Sequence, residues 1–147
     1  MVLTSLLSAS CGSSGSGTAS GGSSALPDPC SLVTPTDIAT ALGAAPLTPP
    51  KSDADGECQY ASASENNYVN VQVEGGQTAA SFEKASSSAG PTQRITGLGN
   101  EAFQNTAGGS VFVLAGTTYL RIDVFLTTVD PSAVQSLAKA AIGRLPS

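Results

Sequence analysis

Residues 110–126 read SVFVLAGTTYLRIDVFL, two apolar-rich runs that fold back on each other at Gly116 and Thr117. A two-residue connection containing glycine between such runs is the signature of an antiparallel hairpin. In the second run Leu120, Ile122, Val124 and Leu126 alternate with Tyr119, Arg121, Asp123 and Phe125. Strand side chains point to opposite faces in turn, which assigns the first set to the core and the second to a mixed outer face. Upstream, YVNVQVE at 68–74 has the same period, with Val69, Val71 and Val73 on one face and Asn70, Gln72 and Glu74 on the other. It forms a hairpin with CQYASA, which opens at Cys58, through a turn at Ser64 to Asn67. Further strands, Gln93 to Thr96 and Glu101 to Gln104, flank the glycines of GLGNEAF.

Helical segments punctuate these strands. Thr34 is placed to cap a helix, Pro35 suits its first position, and Asp37 sits third, where a carboxylate favours exposed N–H groups. Val33 and Ile38 are spaced as a hydrophobic staple, and Gly43 closes the helix. A weaker helical stretch runs from Thr78 to Ser87, with Phe82 as its one large anchor. The last helix starts at Asp130 and Pro131, carries Val134, Leu137, Ala138, Ala141 and Leu145 at helical spacing, and places Arg144 near its negative end. The order helix, hairpin, helix, strands, helix predicts an α+β domain, a small antiparallel sheet with helices packed on one face. By order of elements alone, two α-β-β halves make a candidate pseudo-repeat.

A chain of 147 residues, 40% hydrophobic but only 5% aromatic, has room for one small-residue core. Residues 26–147 are assigned to this single domain. Six Lys plus Arg against eleven Asp plus Glu leave too few cations to neutralise a phosphate backbone, so nucleic acid is not an expected partner. The chain has no His, which removes the commonest general base and metal ligand.

The N-terminus has a different character. MVLTSLLSAS, residues 1–10, is a short apolar stretch ending in small residues directly before Cys11, the arrangement a lipoprotein signal peptidase needs. Ser8 stands where Leu, Val or Ile is usual, and no basic segment precedes the apolar stretch, so this reading takes residues 1–10 as the remnant of a longer signal peptide. Cys11 is then the lipidation site, and residues 11–25, nearly pure Gly and Ser, are a flexible tether to the membrane. The alternative is a free thiol in a leader. Cys30 and Cys58 flank folded elements on either side of a Pro-rich loop and are expected to form a disulfide, the alternatives being a metal site or two buried thiols.

The pattern DPCSLVTPTDIATALG, then Cys58 with an aromatic-containing strand, then GLGNEAF before paired strands and a final helix, resembles actinobacterial lipoproteins of the domain-of-unknown-function 3558 family. The resemblance covers Asp28 to Leu145. It implies an envelope lipoprotein of the cell membrane's extracytoplasmic face, with one disulfide, and it supplies no catalytic residue and no cofactor.

Two surfaces are candidates for function. Glycines beside Asn100 and Glu101 in GLGNE offer a polar ligand loop, or else a plain turn. The outer strand face offers Tyr119, Arg121 and Asp123 beside Tyr68, Asn70 and Gln72 if those strands are neighbours, with Tyr60 as a further aromatic candidate. Without His, only a Ser-Lys pair remains for nucleophilic catalysis, and the lysines fall on loops and exposed helix faces, so no enzyme is expected. The leading expectation is a tethered module that binds a small molecule or lipid between sheet and helices. The alternative is an accessory protein docking on an envelope partner through an exposed strand edge or aromatic face.

Overall fold

The computed structural model describes residues 25–43, 50–53, 55–61, 67–106 and 109–146. The leader, Cys11, the tether up to residue 24 and the turn from Ser64 up to residue 66 lie outside the described residues. The described chain forms α1 (Pro29–Leu32), α2 (Pro35–Leu42), β1 (Lys51–Ser52), β2 (Glu57–Ala61), β3 (Tyr68–Glu74), α3 (Ala79–Ser88), β4 (Thr92–Ile95), β5 (Glu101–Asn105), β6 (Gly109–Ala115), β7 (Thr118–Phe125) and α4 (Pro131–Ile142). The α+β class is as the sequence predicts.

The strands make one antiparallel sheet in the order β1-β2-β3-β7-β6-β5-β4. The two alternating runs are neighbours at its centre. Val69 faces Val124, Val71 faces Ile122 and Val73 faces Leu120, so their apolar sides merge into one continuous surface. On it pack α1, α2 and α4, with Leu32, Val33, Ile38, Val134, Leu137 and Ala138 all buried. The buried side chains of this face and of its three helices form one hydrophobic cluster.

Local chemistry explains the helices. Thr34 and Asp37 form a reciprocal capping box at the start of α2, which ends at Gly43. Thr78 and Ser81 form another on α3, and Asp130 caps α4 ahead of Pro131. The unanticipated α1 is a single turn, capped by Asp28, that carries Cys30 to Cys58; the two form a disulfide. Beside it the buried Tyr60 hydroxyl faces the carbonyl oxygens of Val33 and Cys30. Arg144 donates to the Leu32 carbonyl at 2.7 Å and pairs with Asp37 at 2.8 Å, so the residue expected to complement its own helix instead ties α4 to α1 and α2. That guanidinium draws the Asp37 carboxyl down to about 2.

One helix departs from the one-faced arrangement. α3 lies on the other side of the sheet, where Phe82 packs with Phe103, Phe112 and Leu114. The reason lies in β6: Val111, Phe112, Val113 and Leu114 form an unbroken apolar run, all buried, which demands cover on both faces. Phe82 alone, 1% exposed, contributes about 1.5–3 kcal/mol of burial to this second cluster. Because α2 and α3 sit on opposite faces, the α-β-β order does not repeat as an equivalent unit in space.

Candidate functional site

α3 covers the β5-β6 side of the outer face and reaches Tyr119 of β7 through Phe82; among the described residues the face over β2, β3 and the Phe125 end of β7 is left open. Here the candidate residues of the two central strands meet in register, Asn70 opposite Asp123, Gln72 opposite Arg121, Glu74 opposite Tyr119 and Tyr68 opposite Phe125. Most of this polar lattice is satisfied internally. The Asn70 amide donates to Glu57, and the amides of Gln72 and Gln77 donate to Glu74. Asp123, 4% exposed, accepts from the Ser110 hydroxyl and pairs with Arg121 at 2.7 Å. The Arg121 guanidinium also lies over the Phe112 ring, 5.4 Å from its centre. Tyr119 is half-buried beside Phe82 and Phe112, and burial pushes its hydroxyl up to about 12. These groups hold one another and leave few valences for a ligand.

Three sequence candidates are elsewhere. Tyr60 is not a surface residue: it is 1% exposed, and its desolvated hydroxyl, also raised to about 12, belongs to the α1 anchorage. Asn100 is a structural clasp, its Oδ1 accepting from the Gly116 N–H at 2.6 Å and its own N–H donating to the Leu114 carbonyl at 2.7 Å. Glu101 is engaged by Arg94 at 3.1 Å. Gly99 is needed there for space as well as dihedral freedom: its φ is +57°, and a Cβ would stand 2.5 Å from the Leu114 carbonyl oxygen. GLGNE is therefore a turn locked onto the β6–β7 hairpin.

What remains available on the open face is aromatic. Tyr68 and Phe125 stack at 4.3 Å with a 25° interplanar angle, and Phe125 is 44% exposed. Phe125 borders a half-open cleft of about 500 Å³ at the end of the sheet. Its apolar side is Val124, Leu126, Val129 and Pro131. Gln93, Gln104, Asn105, Thr106 and Ser110 also line it. Gln104 is held in place by a bond to the Pro131 carbonyl at 3.2 Å and another from Gln135 at 2.9 Å. Gly109 also lines the cleft, and a Cβ there would clash with the Val124 carbonyl oxygen. None of the described residues that line it is charged.

The cleft was missed in the sequence because it gathers the ends of β4 to β7 and the start of α4. One signal pointed to it: Phe125 occupies an outward position in TYLRIDVFL, where a large apolar residue has no core to join. Among the described residues no group of three His, Cys, Asp or Glu is placed to hold a metal ion, and no helix is long and apolar enough to cross a membrane. Compared with protein families, curated proteins and solved structures, the chain matches none.

Proposed function

We propose that this protein is a membrane-tethered lipoprotein of the cell envelope that works as a binding module, with the Phe125 cleft as its working surface. The observation that carries the binding assignment is the exposed Phe125, stacked on Tyr68 and bordering a cleft, in a sheet face whose polar groups are mostly paired with one another. Exposed aromatics beside a concavity gain most from being covered, since burial of a ring yields large apolar contact at little entropic cost. The small residues before Cys11, the Gly/Ser run and the disulfide, which persists in oxidising compartments, support the envelope assignment.

The position of the cleft fits a tethered module. Leu26, near the first described residue, packs on Gly75 at one end of β3, whereas Tyr68 and the cleft lie at the other. The seven residues of β3 put about 20 Å between them, so the surface is presented away from the point where the chain enters the domain.

Two measurements test the proposal. Intact-mass spectrometry of protein extracted from its own membranes should give a chain beginning at a diacylglyceryl Cys11; an unlipidated chain would remove the anchor. A photo-cross-linking amino acid in place of Phe125 in living cells should give a discrete adduct that the same group at Ser87, exposed on α3, does not; equal labelling at both positions would remove the binding surface.

A further inference from the structure

β4 is a terminal strand of the sheet, paired with β5 alone. We propose that its outer edge is a docking site for an extended segment of a partner protein, one that alternates apolar side chains with hydroxyl and cationic ones and joins the sheet as an added strand. This surface is separate from the Phe125 cleft and does not rest on it.

The backbone phase defines the edge. The Thr106 N–H donates to the Pro91 carbonyl at 3.0 Å, continuing the register in which Thr92 faces Asn105, so Pro91 and Thr106 are a hydrogen-bonded pair of the ladder. Alternation then turns the N–H and C=O of Gln93 and Ile95 towards β5 and those of Thr92 and Arg94 away from it. Among the described residues no group takes up these two donors and two acceptors, and Thr92, Gln93 and Arg94 are exposed. Edges of this kind are ordinarily blunted by a bulge, a covering element or an inward-pointing charge. The register of β4 on β5 is unbroken, and its one charge, Arg94, is drawn back over the sheet by Glu101 of β5 and Glu83 of α3.

Side chains select the occupant. A residue opposite Thr92 would point to the outer face, where the last turns of α3 lie, with the Ser86 and Thr92 hydroxyls 3.5 Å apart. α3 has no basic residue in its last turn, so the negative end of its dipole is unanswered there. Two carboxylates on the single Arg94 guanidinium leave a net negative charge close by. Both favour a cation opposite Thr92. A residue opposite Ile95 would point to the other face, where the half-buried Ile95 side chain packs on the main core and gains cover from an apolar neighbour. A second copy of the chain fits poorly. Pairing β4 with itself would bring two such acidic groups and two α3 ends together, on chains of net charge −5. In an added strand the main-chain bonds supply affinity and the alternate side chains supply selectivity.

The test is amide-resolved NMR titration of the full chain with a short capped peptide in which Val alternates with Thr and Lys. The same peptide with Glu in place of Lys, and its fully N-methylated form, serve as comparison probes. The expected result is saturable shifts centred on the Thr92 and Arg94 amides, with hydrogen exchange slowed at both. The Glu peptide should bind about fivefold more weakly at low salt, and the N-methylated form should not bind. Thr92→Pro removes one outward N–H and no ladder bond, so it should keep the thermal midpoint and weaken the Lys peptide about fivefold to tenfold. Glu83→Gln, on an exposed helix residue, is a second variant, expected to narrow the preference for Lys over Glu without affecting the fold. Shifts confined to Ser110 and Phe125, no shift at millimolar peptide, or equal binding of the N-methylated form would overturn the edge proposal and leave the cleft reading standing. Equal affinity for the Lys and Glu peptides would overturn the charge selection. A dimer that slows exchange at Thr92 and Arg94 without peptide would overturn the partner in favour of a second copy.

Discussion

Removing the Cys30–Cys58 bridge is the perturbation whose size follows most directly from the structure. The two residues are 28 apart in sequence, so the bridge denies the unfolded chain the freedom of a loop of that length. The chain-entropy argument gives about 12 cal/mol/K for such a loop, or about 3.5 kcal/mol at 25 °C. That is a large share of the roughly 5–15 kcal/mol typical of a domain. The native state should nevertheless persist without it, because Tyr60 still holds the Val33 and Cys30 carbonyls and Arg144 still holds that of Leu32. The assay is urea unfolding followed by circular dichroism on oxidised protein, reduced protein and the Cys30→Ala/Cys58→Ala variant. The reduced form separates loop entropy from loss of the two sulfur atoms. Both altered forms should remain folded, with melting temperatures lowered on the order of 10–20 °C. A loss below about 1 kcal/mol on reduction would refute the entropic reasoning. Complete unfolding would show that the Tyr60 and Arg144 contacts cannot hold α1 and α2 by themselves.

Other expectations follow from particular contacts. Arg144→Met should lose about 1–2 kcal/mol in chemical denaturation, a value discounted for the partial exposure of the guanidinium. Because the Asp37 carboxyl is held at about 2 against an ordinary 3.8, its contribution is complete above 3.8 and disappears as pH falls through about 2; Asp37→Asn should flatten the stability profile in that window. Gly99→Ala should lose about 1–3 kcal/mol, read from the urea midpoint, since both the positive φ and the Leu114 carbonyl oppose a Cβ. Phe125→Ala should lose only about 0.5–1.5 kcal/mol, the worth of its stack on Tyr68, whereas Phe103→Ala, 1% exposed, should lose about 3–5 kcal/mol; equal losses would mean that Phe125 belongs to the core.

The strands and helix caps were legible because they depend on neighbours in sequence. Val69-Val71-Val73 and Leu120-Ile122-Val124 announce their faces by period, and Thr34, Pro35 and Asp37 announce a helix start by chemistry. Even the meeting of Asn70 with Asp123 and Gln72 with Arg121 could be framed as a conditional, needing only strand order to resolve it. The misreadings have a different origin. Tyr60 and Asn100 are polar residues whose partners are backbone groups 27 and 16 positions away, and no local pattern reports such a distance. α3 was expected on the same face as its fellows because Phe82 gives a helix without saying which side of the sheet will receive it. The deciding information was in β6, where four consecutive apolar residues call for cover above and below. The cleft escaped notice because strand order brings its walls together.

The central position of β7 has a consequence for how the molecule is made. β1, β2 and β3 form one ribbon and β4, β5 and β6 another, and they share an edge only when β7 lies between β3 and β6. A chain emerging from its N-terminus therefore exposes two unfinished edges until Phe125 has appeared, and α4 can cover the apolar face only after that. Closing the sheet between β3 and β7 joins residues far apart along the chain, which favours a slow search. The strand order thus delays completion of the sheet until the chain has been made through β7.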